Sequence, residues 1–145
     1  MPNTLFEKNR ARFVKLFKEE VSTAAKGIAV FQGVSEVPLY SSDVCYPEYQ
    51  EAYFYYLFGA TEMDCIGVLD FATDKPILFV PQLDNLYKIW MTVYTKEDLA
   101  AKYNMEVRYL VELGPYLNEE RKPETIYVNR GVNTDSGLTT VTPDL

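Results

Sequence analysis

Two short apolar runs separated by a turn constrain the fold more than any other feature of the chain. Residues 66–70 (IGVLD) and 77–80 (ILFV) are each of strand length, and the residues between them include Thr73, Asp74 and Lys75. Apolar runs joined by such a short polar turn are typical of a β-hairpin. The pattern therefore predicts an antiparallel pair of strands in the middle of the chain.

The amino-terminal segment predicts an amphipathic helix over residues 4–21. Phe and Leu side chains recur there at near-helical spacing, while Lys and Arg occupy the other faces. Thr4 and Glu7 have the spacing of a capping box, in which both side chains accept hydrogen bonds from N–H groups of the first turn. We expect this helix to pack its phenylalanine stripe into the core.

Other segments predict strands mixed with helices. Residues 28–31 form a continuous apolar run of strand length, and residues 107–110 and 125–128 are predicted to form short strands. The aromatic run 53–57 favours a strand by β-propensity, with a helix as the alternative. Helical segments are predicted at 47–51, at 83–91, from Thr95 onward, and at 111–120, where Gly114 interrupts the pattern; residues 33–43 are predicted to form a loop or a short edge strand. Strands mixed with helices indicate an α/β or α+β domain with a mixed sheet.

The size and charge of the chain exclude several classes of function. The 145 residues match the usual size of a single domain. The net charge of −7 disfavours binding to nucleic acid, because a phosphate backbone would repel it. No stretch approaches the roughly 20 apolar residues that span a membrane, and no signal-peptide core is present. With two cysteines and no CxxC motif, we expect a reducing, cytoplasmic location.

The chain contains no histidine, which removes the commonest general base and metal ligand. Ser-His-Asp, Cys-His and zincin chemistry are therefore excluded. A site for Mg²⁺ or Mn²⁺ built from carboxylates alone remains open. However, Glu97, Asp98, Glu119 and Glu120 fit helix-surface and first-turn positions better than a metal site. We predict no catalytic and no metal-binding residue in the chain.

Two blocks of the sequence resemble a known family. Residues 50–83, where an aromatic run ends at Gly59 and the hairpin closes on Phe79-Val80-Pro81, resemble the amino-terminal domain of the Xaa-Pro peptidases, prolidase (Xaa-Pro dipeptidase) and aminopeptidase P. Residues 130–137 (RGVNTDSG) resemble prolidase in particular. The resemblance covers most of residues 5–137 and implies the creatinase/prolidase amino-terminal fold, a three-layer α/β/α domain with a mixed sheet.

The resemblance also implies that the chemistry belongs to a different domain. In this family, two divalent metal ions, often manganese, are held by two Asp, one His and two Glu in a carboxy-terminal "pita-bread" domain, which this chain lacks. We therefore expect residues 1–145 to form one domain that is inactive alone. The full-length protein would be a homodimeric peptidase acting on proline-containing dipeptides or peptides, in which this domain contributes to the dimer and shapes substrate access.

Two residues are candidates for substrate contact by resemblance. Asp43 matches a Ser/Thr-Asp step that precedes Gln50 by seven residues, and relatives place this aspartate near the rim of the active site. The alternative is an Asx-turn or a helix cap, and Tyr49 stands where relatives commonly have arginine. Trp90 matches a tryptophan that reaches over the active site of the partner subunit. Its alternative is a core or interface tryptophan packed with Ile89.

A different class of function is a binding module without catalysis. The same fold is found in a histone-chaperone subunit that resembles these peptidases, and an acidic domain can bind basic peptides. The RGVNTDSG block favours the peptidase, since it has no evident use in a chaperone. The coding sequence beyond residue 145 would discriminate between the two, because a peptidase requires a following domain with the Asp, Asp, His, Glu and Glu ligands.

Overall fold

One five-stranded sheet organises the chain, for which the computed structural model describes residues 1–47 and 49–145. The strands lie in the order β4-β3-β2-β1-β5, and β2 is antiparallel to both of its neighbours, whereas β1 pairs with β5 and β3 with β4 in parallel. Their bounds are Gly27–Gln32 (β1), Ile66–Asp70 (β2), Lys75–Val80 (β3), Glu106–Tyr109 (β4) and Thr125–Val128 (β5). Four strands therefore run in one direction, and the predicted mixed sheet is confirmed.

The predicted hairpin is formed by β2 and β3. Asp70 pairs with Lys75 at the closed end, and the carboxylate of Asp70 accepts a hydrogen bond of 2.9 Å from the backbone N–H of Ala72. Asp74 adopts a φ of 58°, a left-handed conformation that aspartate tolerates better than most residues. The turn residues read from the sequence thus close this hairpin.

The amino-terminal helix, α1 (Asn3–Glu20), confirms the predicted amphipathic helix, but the predicted capping box is wrong. The helix begins one residue earlier than expected, with Pro2 in an extended conformation at the N-cap and no side-chain cap. Thr4 therefore lies within the first turn, where its hydroxyl cannot cap the helix. The Glu7 carboxylate instead accepts a hydrogen bond of 2.7 Å from the Asn104 side chain.

Residues 53–57 belong to a helix, α2 (Ala52–Phe58), so the predicted strand is wrong and the helical alternative is correct. Phe54, Leu57 and Phe58 are buried at helical spacing, and Glu51 caps the helix by accepting a hydrogen bond of 2.7 Å from the backbone N–H of Phe54. Gly59 ends it in a left-handed conformation. Packing of one apolar face outweighs the β-propensity of the aromatic residues.

The two faces of the sheet are covered by different helices, which gives three layers. α1, α2 and α3 (Lys96–Tyr103) pack on the face that contains Phe31, Leu69 and Leu78. The opposite face is covered by a helical segment over residues 110–121, whose buried side chains are Leu113, Tyr116 and Leu117. That segment consists of a 3₁₀ turn (Leu110–Glu112), a helical turn (Leu113–Pro115) and a π-helix (Tyr116–Arg121). The expected α/β/α architecture is confirmed.

Two other predicted helices differ from the structure. The segment predicted at 83–91 forms only a short 3₁₀ helix, Asn85–Ile89, which buries no residue and so has no packing to extend it. The helix predicted at 47–51 is not formed by Pro47 or by residues 49–51, and Glu48 lies outside the described residues. Within the described part of the chain, no helix is long and apolar enough to cross a membrane.

Candidate functional site

The segments that carry the candidate residues all leave the sheet at the same edge. Since β1, β3 and β5 run in parallel, their carboxyl ends lie together. Residues 33–51 follow β1, residues 81–95 follow β3 and residues 129–145 follow β5. Ligands of open α/β sheets bind outside the carboxyl ends of the strands. We therefore treat this edge, called the carboxyl edge below, as the candidate functional site.

Trp90 lies on the surface of the carboxyl edge and has 64% of its area exposed. It follows the 3₁₀ helix, which Asp84 caps by accepting a hydrogen bond of 2.8 Å from the backbone N–H of Leu86. Its indole ring contacts the ring of Tyr87 edge-on, with centroids 5.6 Å apart. The core alternative for Trp90 is therefore wrong, whereas its contact with substrate stays a prediction.

The residues around Trp90 form an exposed apolar surface. We call residues 83–94 the Trp90 segment. Its exposed large side chains are Leu83, Leu86, Tyr87, Ile89, Trp90, Met91 and Tyr94. Contiguous exposed apolar residues of this kind mark sites of interaction with proteins or ligands. The Trp90 segment thus has the chemistry of a contact surface.

A polar cluster lies where the Trp90 segment meets α3. The ammonium group of Lys102 donates a hydrogen bond of 2.7 Å to one carboxylate oxygen of Glu62, and the hydroxyl of Tyr103 donates to the other. The same ammonium lies 5.4 Å from the ring centre of Tyr94. Burial alone would raise the pKa of Glu62, but its bonds from Lys102 and Tyr103 hold that pKa below its usual value. The cluster therefore stays charged at neutral pH.

Gln50 links three parts of the chain near the carboxyl edge. Its side-chain oxygen accepts hydrogen bonds from the backbone N–H groups of Val34 (2.7 Å) and Glu51 (3.0 Å), and its side-chain nitrogen donates one of 3.2 Å to the carbonyl of Glu62. The glutamine of the family-like pattern therefore connects the chain after β1 to the start of α2 and to the loop before β2.

Asp43 is exposed in a tight turn of the segment that follows β1. The turn is closed by Ser42, whose hydroxyl donates a hydrogen bond of 2.9 Å to the carbonyl of Leu39 and lies 3.2 Å from the backbone nitrogen of Val44. Among the described residues, the Asp43 carboxylate has no hydrogen bond of its own, so the Asx-turn alternative does not describe it. Its proposed contact with substrate remains a prediction.

The RGVNTDSG block forms a compact turn at the carboxyl edge. The side-chain oxygen of Asn133 accepts hydrogen bonds from the backbone N–H groups of Asp135 (3.0 Å) and Ser136 (2.9 Å), and Gly137 adopts a φ of 71°. A groove of about 790 Å³ separates this turn from the segment after β1 and from the start of α2. Its apolar lining comes from Val34, Val37, Tyr49, Tyr53, Val132, Leu138 and Val141.

Two of the carboxylates considered as metal ligands, Asp98 and Glu120, have structural roles. Asp98 forms a capping box with Thr95 at the start of α3, and Glu120 holds Arg108 through two hydrogen bonds of 2.6 and 2.9 Å. In residues 1–47 and 49–145, no group of three or more His, Cys, Asp or Glu is placed to hold a metal ion. Cys65 is fully buried, and burial raises the pKa of its thiol to about 12, so it is no nucleophile.

Sequence reasoning missed the contributions of Glu62, Lys102 and Gln50. Glu62 and Lys102 are 40 residues apart, so no local spacing indicates that they meet. In the sequence, Gln50 appears only as part of the family-like pattern, because its bonds depend on three parts of the chain that meet near the carboxyl edge. The fold is required to find each of these contacts.

Comparison with known proteins decides the family. A sequence model of the aminopeptidase P N-terminal domain matches residues 6–127. The chain belongs to this family. The Xaa-Pro dipeptidase of Pongo abelii is 39% identical over 139 residues and that of Homo sapiens is 37% identical, in both cases over 94% of this chain and 28% of the relative. The chain thus spans a little more than a quarter of the length of these relatives.

The solved structures agree on the fold. A putative aminopeptidase P from Bacillus anthracis matches with a TM-score of 0.73 over 95% of this chain and 33% of its own, at 19% identity. At that identity the likeness shows the fold alone. The family and the fold expected from residues 50–83 are confirmed, while residues 130–137 lie beyond the range matched by the family model.

Proposed function

We propose that this chain is the non-catalytic amino-terminal domain of a metal-dependent Xaa-Pro peptidase of the prolidase type. The observation that carries the proposal is the family match, joined to an exposed Trp90 at the carboxyl edge. Relatives that align with 94% of the chain bear the name Xaa-Pro dipeptidase and are more than three times as long. Hydrolysis, and the two divalent metal ions expected for it, would belong to the part of the protein that follows this domain.

In this proposal the domain limits access to the active site. A tryptophan ring is flat, rigid and apolar, so it can cover a proline ring with little loss of side-chain entropy. Trp90 has the exposure that such a contact needs, and its segment carries further apolar side chains around it. Asp43, on another segment of the same edge, would supply a polar contact.

The Trp90 segment would also contribute to a homodimer. Its large apolar side chains are exposed, and homodimer interfaces are enriched in such apolar and aromatic residues. A dimer would bring the segment of one subunit towards the active site of the other. This arrangement joins the two contributions, assembly and substrate access, in one surface.

The proposal is tested by assaying hydrolysis of the dipeptide Ala-Pro in the presence of Mn²⁺. The purified 145-residue chain should give no turnover and bind no stoichiometric Mn²⁺, whereas the longer protein, with its following domain, should hydrolyse the dipeptide. Turnover that co-purifies with the short chain would contradict the assignment. Tight binding of a basic histone peptide, with no ligand-bearing domain encoded after residue 145, would favour the binding module instead.

A further inference from the structure

We propose that Lys102, held in place by Glu62, is a positioning residue that fixes the Trp90 segment on the body of the domain. Its importance for catalysis rests on the function proposed above. The contact itself can be tested in the 145-residue chain.

The Trp90 segment is weakly connected to the rest of the molecule. The carboxylate of Asp84 accepts a hydrogen bond from the backbone N–H of Leu86, and its carbonyl accepts one from the N–H of Tyr87. The carbonyl of Tyr87 accepts a hydrogen bond of 3.2 Å from the N–H of Trp90. All of these bonds stay within the segment. Among the described residues, the ring and hydrogen-bond contacts of residues 83–94 reach the rest of the domain only through Tyr94 and Lys102. This one contact therefore restrains the end of the segment that follows Trp90.

The ammonium group of Lys102 is fixed by several contacts. Its ammonium binds Glu62 at 2.7 Å and lies 4.9 Å from the ring centre of Tyr103, in addition to its contact with Tyr94. The carboxylate of Glu62 accepts a hydrogen bond from the hydroxyl of Tyr103, and the backbone carbonyl of Glu62 accepts one from the side chain of Gln50. A cation over an aromatic ring is an attractive contact. Because Glu62 holds the ammonium of Lys102 in place, this contact restrains the ring of Tyr94 more strongly than a mobile lysine would.

The local sequence explains why these residues meet. Tyr94 immediately precedes Thr95, the capping residue of α3, and Lys102 lies eight residues after Tyr94, about two helical turns further along. The side chain of Lys102 can therefore extend back along α3 to reach the ring of Tyr94. The Thr95 cap and the contact between the Lys102 ammonium and the Tyr94 ring together determine the direction in which the Trp90 segment joins α3.

The single tryptophan gives a direct measurement of this restraint. We would record the time-resolved fluorescence anisotropy of Trp90, together with its quenching by acrylamide, in the 145-residue chain. Lys102→Met removes the charge and keeps most of the length, and Tyr94→Leu removes the ring. Both variants should show a larger nanosecond component in the anisotropy decay and a higher quenching constant. The reason is that the motions of an unrestrained loop begin in the nanosecond range.

Two control variants separate positioning from general stability. Tyr94→Phe keeps the ring and should behave as the wild type. Lys26→Met removes another ion-paired lysine, bound to Glu124 at 3.2 Å on the opposite edge of the sheet, and should leave Trp90 unchanged. If Lys102→Met fails to fold, Tyr94→Leu still provides the test, since Tyr94 is half exposed. A lower unfolding midpoint in Lys102→Met and Tyr94→Leu without any change in the motion of Trp90 would overturn the proposal.

The same variants distinguish this proposal from the proposed function. In the longer protein, Lys102→Met should raise KM for Ala-Pro more than it lowers kcat. If Trp90 becomes more mobile in Lys102→Met while Trp90→Ala leaves KM and kcat unchanged, positioning is supported and the substrate contact is refuted. Unchanged mobility of Trp90 refutes positioning and leaves the substrate contact standing.

Discussion

The packing of α2 on the sheet can be tested at Gly67, in the middle of β2. A methyl group added there would lie 2.3 Å from one ring carbon of Phe58 and 2.4 Å from another, whereas carbon atoms pack best at roughly 3.5–4.0 Å. Phe58 is fully buried and contacts the rings of Phe54 (5.2 Å) and Phe31 (6.2 Å), so its ring has little room to move. Strands pair with β2 on both sides and prevent it from shifting.

We expect Gly67→Ala to lower the free energy of unfolding by about 2 kcal/mol. Over-packing of a core costs about 1–3 kcal/mol. The added methyl group would lie more than about 1 Å inside the packing distance of a ring with little room to move, which places this case in the upper part of that range. Replacing a strand glycine by alanine returns about 0.5–1 kcal/mol through the lower entropy of the unfolded chain. The net loss is measured by urea unfolding, monitored by circular dichroism.

Gly114→Ala is the matched control. Nothing lies within 4 Å of a methyl group at Gly114, which is in a helical turn, so this variant should be as stable as the wild type or more stable by up to about 1 kcal/mol. If Gly67→Ala were also neutral, Phe58 would not lie over β2. The reasoning that makes residues 52–58 a helix packed on the sheet would then be refuted.

Burial and charge lead to further predictions. Trp90→Ala should lower the free energy of unfolding by about 1 kcal/mol or less, because the ring is largely exposed. Phe71 is fully buried and its ring stacks on that of Phe17 at 4.6 Å, so Phe71→Ala should lower the free energy of unfolding by about 3–5 kcal/mol in the same assay. Cys65 should resist alkylation by iodoacetamide in the native chain and react only on unfolding, as mass spectrometry of the labelled peptide would show; rapid native labelling would contradict its burial. The pKa of Glu62 is lower in the folded chain than in the unfolded one, so its contribution to stability is present above about pH 4.3 and is lost as pH falls through the folded pKa. Glu62→Gln should therefore lower the unfolding midpoint at pH 7 and flatten its decline in acid, whereas Glu124→Gln, in an exposed ion pair, should change neither.

Local patterns were sufficient where one segment determines its own structure. The hairpin of β2 and β3 was predicted from two apolar runs and a turn, and α1 from its repeating phenylalanines. The start of α1 was not predictable in the same way, because Pro2 and Thr4 are both acceptable near a helix N-terminus and the choice depends on one residue of register.

Patterns failed where tertiary packing decides between two acceptable structures. The aromatic residues 53–57 suit either a strand or a helix, and the packing of Phe58 on the sheet over Gly67 favours the helix. The candidate site shows the same limit. Trp90 was singled out by resemblance, but the contact between Lys102 and Glu62 joins distant parts of the sequence and leaves no local pattern.

The most direct test of the central claim is the effect of Trp90→Ala on hydrolysis of Ala-Pro by the longer protein. Truncating a tryptophan that anchors a bound ligand typically costs about 2 kcal/mol or more, and every 1.4 kcal/mol is a factor of ten. We therefore predict that kcat/KM falls by about tenfold or more, with little change in the unfolding midpoint. Leu16→Ala, an exposed apolar residue on α1, is the control and should have no effect. An unchanged kcat/KM in Trp90→Ala would contradict the claim that this domain contacts the substrate.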